Sequence, residues 1–418
     1  MTDATTAGRG QGSGRLWHAL PVACGLFLAM VPVTIVAPLL YELLVKRLHA
    51  SPLSAHLFMS VNMMAGMAAA PLVIRLSRLT GGPSRWLVGA LVVDGAAFWM
   101  MGECVTVASL MAWRAVEGAA HLSAVTLLMV GANRLAGERR GAVMGLMGAA
   151  LTLGVGLGAP LGGLVGTLDA ALAFPVGAGI AFLAALACTP LALRQEGPPS
   201  AAAALAAPAI PSRVRAVPLA LGFTDRFCGG VFVSSFMLYV SDSLGFPPAA
   251  RGMLMMLFMV PFALSCCPAG VLSDRVGRTR PLVLGTAAFG VAFGLYGLCP
   301  GWALPWLMLF SGLLSAVKFA PTLALCGDVA RGTNRDGMFA AFNVAGSLGF
   351  LAGPIVGGLL AQWSLGRWGV VNYAVIFMVP GALELLVAVG AWALLRRIPL
   401  DMGSKSRAVG IHRSPATS

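Results

Sequence analysis

Twelve apolar runs, 17 to 26 residues long and bracketed by polar residues, dominate this 418-residue sequence. They fall at roughly 17–40, 53–74, 86–102, 108–131, 141–166, 172–193, 217–240, 251–272, 281–299, 303–327, 338–362 and 372–395. About 20 apolar residues cross the hydrocarbon core of a bilayer. Lipid offers the backbone no hydrogen-bonding partner, so a run that crosses must be a helix. Composition agrees: 58% of residues are apolar and 10% are charged, against about 25% charged in soluble domains. That is too little charge to cover a water-soluble globule, and it also excludes a disordered chain or a disulfide-stapled secreted domain. The eight cysteines lie in or beside apolar runs without metal-ligand spacing and read as small hydrophobes. The expected fold class is an all-α membrane protein with twelve transmembrane helices.

The first run follows Arg9 and Arg15, as the apolar segment of a signal peptide would. It is too long for such a segment and has no obvious cleavage site, so it is read as span 1. Lys and Arg total 28 and Asp and Glu 15, a net +13. Such an excess can signal nucleic acid, but here the cations sit in short segments between apolar runs. With the N-terminus inside, 21 of the 28 fall on inner segments, 4 (Lys46, Arg47, Arg251, Arg367) on outer loops and 3 (Arg114, Arg226, Lys318) within spans. The positive-inside bias therefore places both termini in the cytoplasm and the chain in the cytoplasmic (inner) membrane, with no nucleic-acid partner.

The longest hydrophilic break, 194–216, is rich in Pro and Ala and reads as a linker. Shifting the first half by 195 residues lays RGAVMGLMGAALTLGVGLGAPLGG (140–163) on RDGMFAAFNVAGSLGFLAGPIVGG (335–358). The expected organisation is a tail (1–16), a six-helix lobe (17–193), the linker (194–216), a pseudo-symmetric six-helix lobe (217–396) and a second tail (397–418). Repeated six-span halves indicate a two-lobed transporter with a midplane site.

Three stretches resemble the major facilitator superfamily. The loop after span 8 reads GVLSDRVGRTR, Gly270 to Arg280, similar to that superfamily's cytoplasmic loop motif. Span 4 carries Arg114-x-x-Glu117-Gly118, and span 11 carries Gly349-x-x-x-Gly353-Pro354-x-x-Gly357, like the glycine-proline motif of exporters. The loop at 75–85 lacks the usual acid, and in span 5 (Gly154, Gly158, Pro160) the proline comes one place late. The resemblance implies that spans 1, 4, 7 and 10 line a central cavity and that the glycine stripes lie between the lobes. It also implies a cytoplasmic gate of Gly270, Asp274, Arg275, Gly277, Arg278 and Asp328, in which Asp274 reaches the start of span 5 near Gly141 and Arg278 reaches Asp328.

Ionisable side chains inside the spans are the candidate site, because a charge at the bilayer centre costs at least ~2.5–3.5 kcal/mol. Arg114, Glu117 and His121 share one face of span 4 by their i, i+3, i+7 spacing. Asp225 and Arg226 lie in span 7 and Lys318 in span 10, while Asp94 and Glu384, in spans 3 and 12, read as supporting buried acids. A carboxylate holds its proton more tightly in a dry cavity and less tightly beside a cation, so alternating exposure can load and release a proton. Glu117, Asp225 and His121 are the proton candidates. Arg114, Arg226 and Lys318 would bind an anionic group or displace the proton.

No phosphate-binding loop, nucleophile elbow or zinc-protease motif is present. Neither an enzyme, a metal nor a cofactor is expected. The expected function is secondary active transport of a small organic solute by a bilayer-embedded monomer, with proton antiport and efflux as the first reading. Uptake of a small anionic or zwitterionic metabolite by symport or uniport is the second, and a non-transporting sensor of the same fold the third.

Overall fold

The computed structural model describes residues 7–80, 82–136, 140–192, 212–329 and 335–396. Residues 1–6 of the first tail, 194–211 of the linker and the second tail, 397–418, lie outside the described residues. Every regular element among the described residues is helical. The first lobe comprises α1 (Ala7–Ile35), α2 (Pro52–Leu79), α3 (Pro83–Gly102), α4 (Val107–Ala136), α5 (Arg140–Val165) and α6 (Ala173–Ala192). The second comprises α7 (Ser212–Val231), α8 (Met237–Asp242), α9 (Pro248–Val276), α10 (Thr279–Gly294), α11 (Leu304–Val329), α12 (Arg335–Trp368) and α13 (Tyr373–Leu395). Span 7 is α7 and α8 joined through a π-helical turn, Phe232–Phe236. A matching π-helical turn, Tyr41–Lys46, follows α1. Helix α7 begins at Ser212, inside the stretch read as linker.

Among the described residues, eleven helices are long and apolar enough to cross a membrane. The remaining expected span is α3, whose 20 residues include Arg85 and Asp94. These two charges lower its hydropathy, and its packing against α4 and α6 keeps it in the bundle. Helix ends are capped where the sequence allows it: the Ser51 side chain accepts from the Ser54 amide, and Asn372 from Val375.

The glycine-proline stripes divide between two contacts, one within each lobe and one between the lobes. A methyl group at Gly154 would meet the Phe27 carbonyl and one at Gly158 the Val31 carbonyl, both on α1. Gly349 and Gly353 likewise abut the Phe223 and Phe227 carbonyls of α7, and Pro354 abuts Gly230 of α7. These residues seat α5 on α1 and α12 on α7 within one lobe. Backbone-to-backbone packing of this kind is what small residues permit in lipid. Neighbouring faces make the lobe contact: Pro160 and Gly163 meet Gly252 and Pro248 of α9, while Gly357 and Gly358 meet His56 of α2. Gly158→Leu is expected to lose at least ~1–3 kcal/mol of stability through overpacking. Gly148→Leu, with nothing within 4 Å of its Cβ position, should be near neutral. The thermal midpoints of the two purified variants check this.

Helices α5 with α9 and α2 with α12 join the lobes. Inter-lobe hydrogen bonds join residues 38–60 to residues 235–251 and to Leu351. These residues occupy the end of the bundle opposite the termini, here called distal. The lobes are closed there.

Candidate functional site

In the first lobe the polar face of α4 meets α2 and α3. Arg114 Nη1 stands 2.9 Å from Glu117 Oε2. Its guanidinium covers the Phe58 ring at 4.6 Å and reaches Met59 Sδ. Asn62 Nδ2 donates to the same Glu117 oxygen. One turn further on, His121 Nδ1 lies 3.4 Å from Asp94 Oδ2. All four charged or titratable side chains are buried. Asp94 Oδ1 has no hydrogen-bond partner.

The second lobe holds a similar arrangement. Lys318 Nζ sits 2.8 Å from Asp225 Oδ1 and 2.6 Å from Glu384 Oε1. It also lies 3.8 Å from the centre of the Phe289 ring. Cys228 Sγ approaches the same Glu384 oxygen at 3.6 Å, and Glu384 Oε2 has no partner. A void of about 10 Å³, the room of one water, separates Asp225, Lys318 and Glu384 from Phe342 and Thr286. Asp225 alone among these carboxylates is partly open, with 22% of its side chain exposed. The adjacent Arg226 is exposed beside Gly346 of α12 and forms no ion pair among the described residues.

The expected site residues therefore separate into two clusters, each matched inside one lobe. Asp94 and Glu384 are the partners of His121 and Lys318. Asp225 and Arg226 part company: the first pairs with α11 and the second stays open. Asp94, Glu117 and His121 place three possible ligand atoms within 4.8 Å of one another. Arg114 already neutralises Glu117, so a divalent cation here would stand beside a fixed positive charge.

Of the expected cytoplasmic gate, the structure describes the side that follows α9. Asp274 is 67% exposed and pairs with Arg278 at 3.5 Å; the side chains at the start of α5, its expected partner, lie outside the described residues. Gly277 has φ +85°, a conformation that suits glycine at this tight turn. Arg275 is exposed and Gly270 is half-buried against Ala320. Asp328 belongs to α11, but its side chain lies outside the described residues.

Reasoning from the sequence missed the distal gate. Arg251, counted there as a loop cation, is only 4% exposed. Its Nη1 reaches Glu42 Oε2 at 2.6 Å, its Nη2 reaches Glu42 Oε1 at 2.7 Å, and Nη1 also donates to the Pro38 carbonyl. This fork joins the lobes. Beside it, buried His56 contacts the Pro52 carbonyl through Nδ1 at 2.6 Å and Ser235 Oγ of the other lobe through Nε2 at 3.0 Å. Glu42 and Ser235 each sit on one of the two π-helical turns, irregularities that often mark functional positions.

The sequence model of the Major Facilitator Superfamily matches residues 22–232 and 219–417. The chain belongs to that superfamily. An uncharacterized MFS-type transporter of Methanocaldococcus jannaschii is 30% identical over 133 residues, 31% of this chain and 34% of that relative. The chain thus matches about a third of that protein's length. Solved structures share the fold at low identity. The nucleoside transporter NupG aligns with TM-score 0.69 and 14% identity over 90% of this chain and 98% of that one. A bacterial homologue of the human lysosomal transporter Spinster, in an inward-facing and unoccupied conformation, gives 0.70 and 11% over 91% and 95%. A D-xylose–proton symporter gives 0.69 and 14% over 90% and 97%. The protein is thus a multi-pass membrane transporter of this superfamily.

Proposed function

We propose that the protein couples solute movement to protons, binding a small anionic or zwitterionic organic solute between the lobes beside Asp225 and Arg226. One observation carries this. Each lobe gathers two carboxylates near one permanent cation: Glu117 pairs with Arg114 while Asp94 faces His121 beside it, and Asp225 and Glu384 both pair with Lys318. Counting permanent cations alone, each cluster has one carboxylate more than it has cations, His121 being the titratable partner in the first, and each has one carboxylate oxygen without a partner. Buried charge of this kind is costly unless neutralised, and a proton neutralises it without needing space. Asp225 is the open member of its cluster, and Arg226 is the open cation next to it. A proton on Asp225 removes the charge that would repel an anion at Arg226, so proton and anion favour each other's binding. Coupling of that sign is cotransport. With the termini in the cytoplasm, as the charge bias supports, the distal closure corresponds to an inward-open state. Efflux by antiport is the second reading, favoured by the glycine-proline pattern in α12.

The test uses proteoliposomes that hold a pH-sensitive dye. A panel of small carboxylates, zwitterions, nucleosides and sugars is added under an imposed proton gradient. Solutes that acidify the lumen as they enter identify cotransport; alkalinisation identifies antiport. Asp225→Asn is expected to abolish gradient-driven accumulation and leave downhill exchange within about ten-fold of the parent. If Asp225→Asn and Glu117→Gln both accumulate solute like the parent, coupling through these clusters is wrong.

A further inference from the structure

The outer flank of the first lobe holds a site that the transport reading does not use. Helices α2 and α3 both pack on α4 but scarcely on each other. They leave a groove of about 640 Å³ lined by Ala69, Gly89, Val93 and Val116, with Arg85 and Trp86 at its mouth. On α4 the lining positions 116, 119 and 123 recur at i, i+3, i+7 on the face opposite Arg114, Glu117 and His121, so the groove faces away from the polar cluster. Its walls are apolar, and Val93 and Val116 are 46% and 40% exposed. No atom lies within 4 Å of the Cβ position of Gly89. Something apolar covers this groove in a bilayer.

The mouth adds a charge. Arg85 stands in the first turn of α3, at the proximal membrane surface. It is exposed and forms no ion pair among the described residues, and the groove lining contains no acid. The Trp86 indole donates to Thr80 Oγ1 at 2.8 Å, which holds the ring at the mouth, the depth at which Trp is favoured in membranes. From Arg85 to Val93 the helix descends about 12 Å, a depth an acyl chain can fill.

We propose that this groove binds one anionic phospholipid of the proximal leaflet, its phosphate on Arg85 and an acyl chain against Gly89, Val93 and Val116. A free phosphate would leave the apolar walls uncovered, and a zwitterionic lipid would leave the arginine without a net counter-charge. Basic pockets between membrane helices recognise anionic headgroups in this way.

Trp86 supplies the readout. The full-length protein in phosphatidylcholine nanodiscs is doped with phosphatidylglycerol or phosphatidylcholine carrying brominated acyl chains, which quench tryptophan on contact. Trp86→Phe isolates the Trp86 share of the signal from the nine tryptophans. Trp86 quenching is expected to favour the phosphatidylglycerol probe about five-fold, the effect of one cation near a membrane surface. Arg85→Gln should bring the two probes to parity, Arg85→Lys should restore the preference, and Gly89→Leu should weaken quenching by both. Equal quenching in the parent overturns the proposal, as does a preference that survives Arg85→Gln. Loss of the preference in excess inorganic phosphate overturns it too, because the site would then be one for a free anion.

Discussion

Replacing Arg251 with alanine is expected to unlock the distal end of the bundle. The guanidinium is buried and spans the lobes through two bonds to Glu42 and a third to the Pro38 carbonyl. Removing one partner of a buried pair leaves the other charged and desolvated, at a cost of ~3–5 kcal/mol. Opening the gate relieves that cost by letting water reach Glu42, so the substitution penalises the distally closed state far more than the distally open one. The lobe equilibrium should move by at least about a hundred-fold. The measurement is the rate at which a membrane-impermeant maleimide labels Ser235→Cys, a position fully buried at the closed gate, with Cys104 and Cys299 changed to Ser. Arg251→Ala should label at least about ten-fold faster than the parent gate, and Glu42→Gln should behave alike. The exchanged pair Glu42→Arg with Arg251→Glu should slow labelling again. If the exchanged pair labels as fast as Arg251→Ala, the fork is an ornament of the loop and not a lock.

Why the fork was invisible in the sequence is a matter of distance along the chain. Glu42 and Arg251 lie 209 positions apart and His56 and Ser235 lie 179 apart, so no local spacing joins them. Arg251 follows two prolines at the start of α9 and looks like any loop cation. Its burial exists only because the lobes meet at the distal end. The spans were legible because a bilayer imposes one length and one composition on every crossing helix. Even there α3 sits at the edge of recognition, since Asp94 and Arg85 offset its apolar residues. The charges within the spans α4, α7 and α11 were legible for the converse reason, that charge in an apolar run is costly. Their partners were less so. Asn62 is neutral and gave no signal, and Asp94 and Glu384 could be seen but not assigned to His121 and Lys318. The glycine stripes show the limit of periodicity: a repeat of four fixes a face of α5 or α12, but which helix covers that face depends on the fold. Here it is α1 or α7, so most of the stripe serves packing within a lobe.

Lys318→Met should be the most damaging single change in the second lobe. Methionine keeps most of the stem volume and its contact with Phe289, so packing is little altered. What disappears is the only positive charge between Asp225 and Glu384, which Lys318 holds at 2.8 and 2.6 Å. Two carboxylates then share a dry pocket with room for about one water. The expected loss is ~3–5 kcal/mol, the scale of an unmatched buried charge, read as a lower thermal midpoint and poor recovery of monodisperse protein. A purely steric account and an electrostatic one diverge in the next variant. Adding Asp225→Asn and Glu384→Gln to Lys318→Met makes the pocket neutral, and exchanging a whole buried charge group for neutral residues is often tolerated. Most of the stability should return. Proton-driven flux should not, because the second lobe would have no group left to carry the proton. A triple variant as unstable as Lys318→Met would mean that the lysine holds the helices by shape. A triple variant that still drives uphill flux would place the coupling elsewhere, with the Arg114, Glu117, His121 and Asp94 cluster of the first lobe as the remaining carrier.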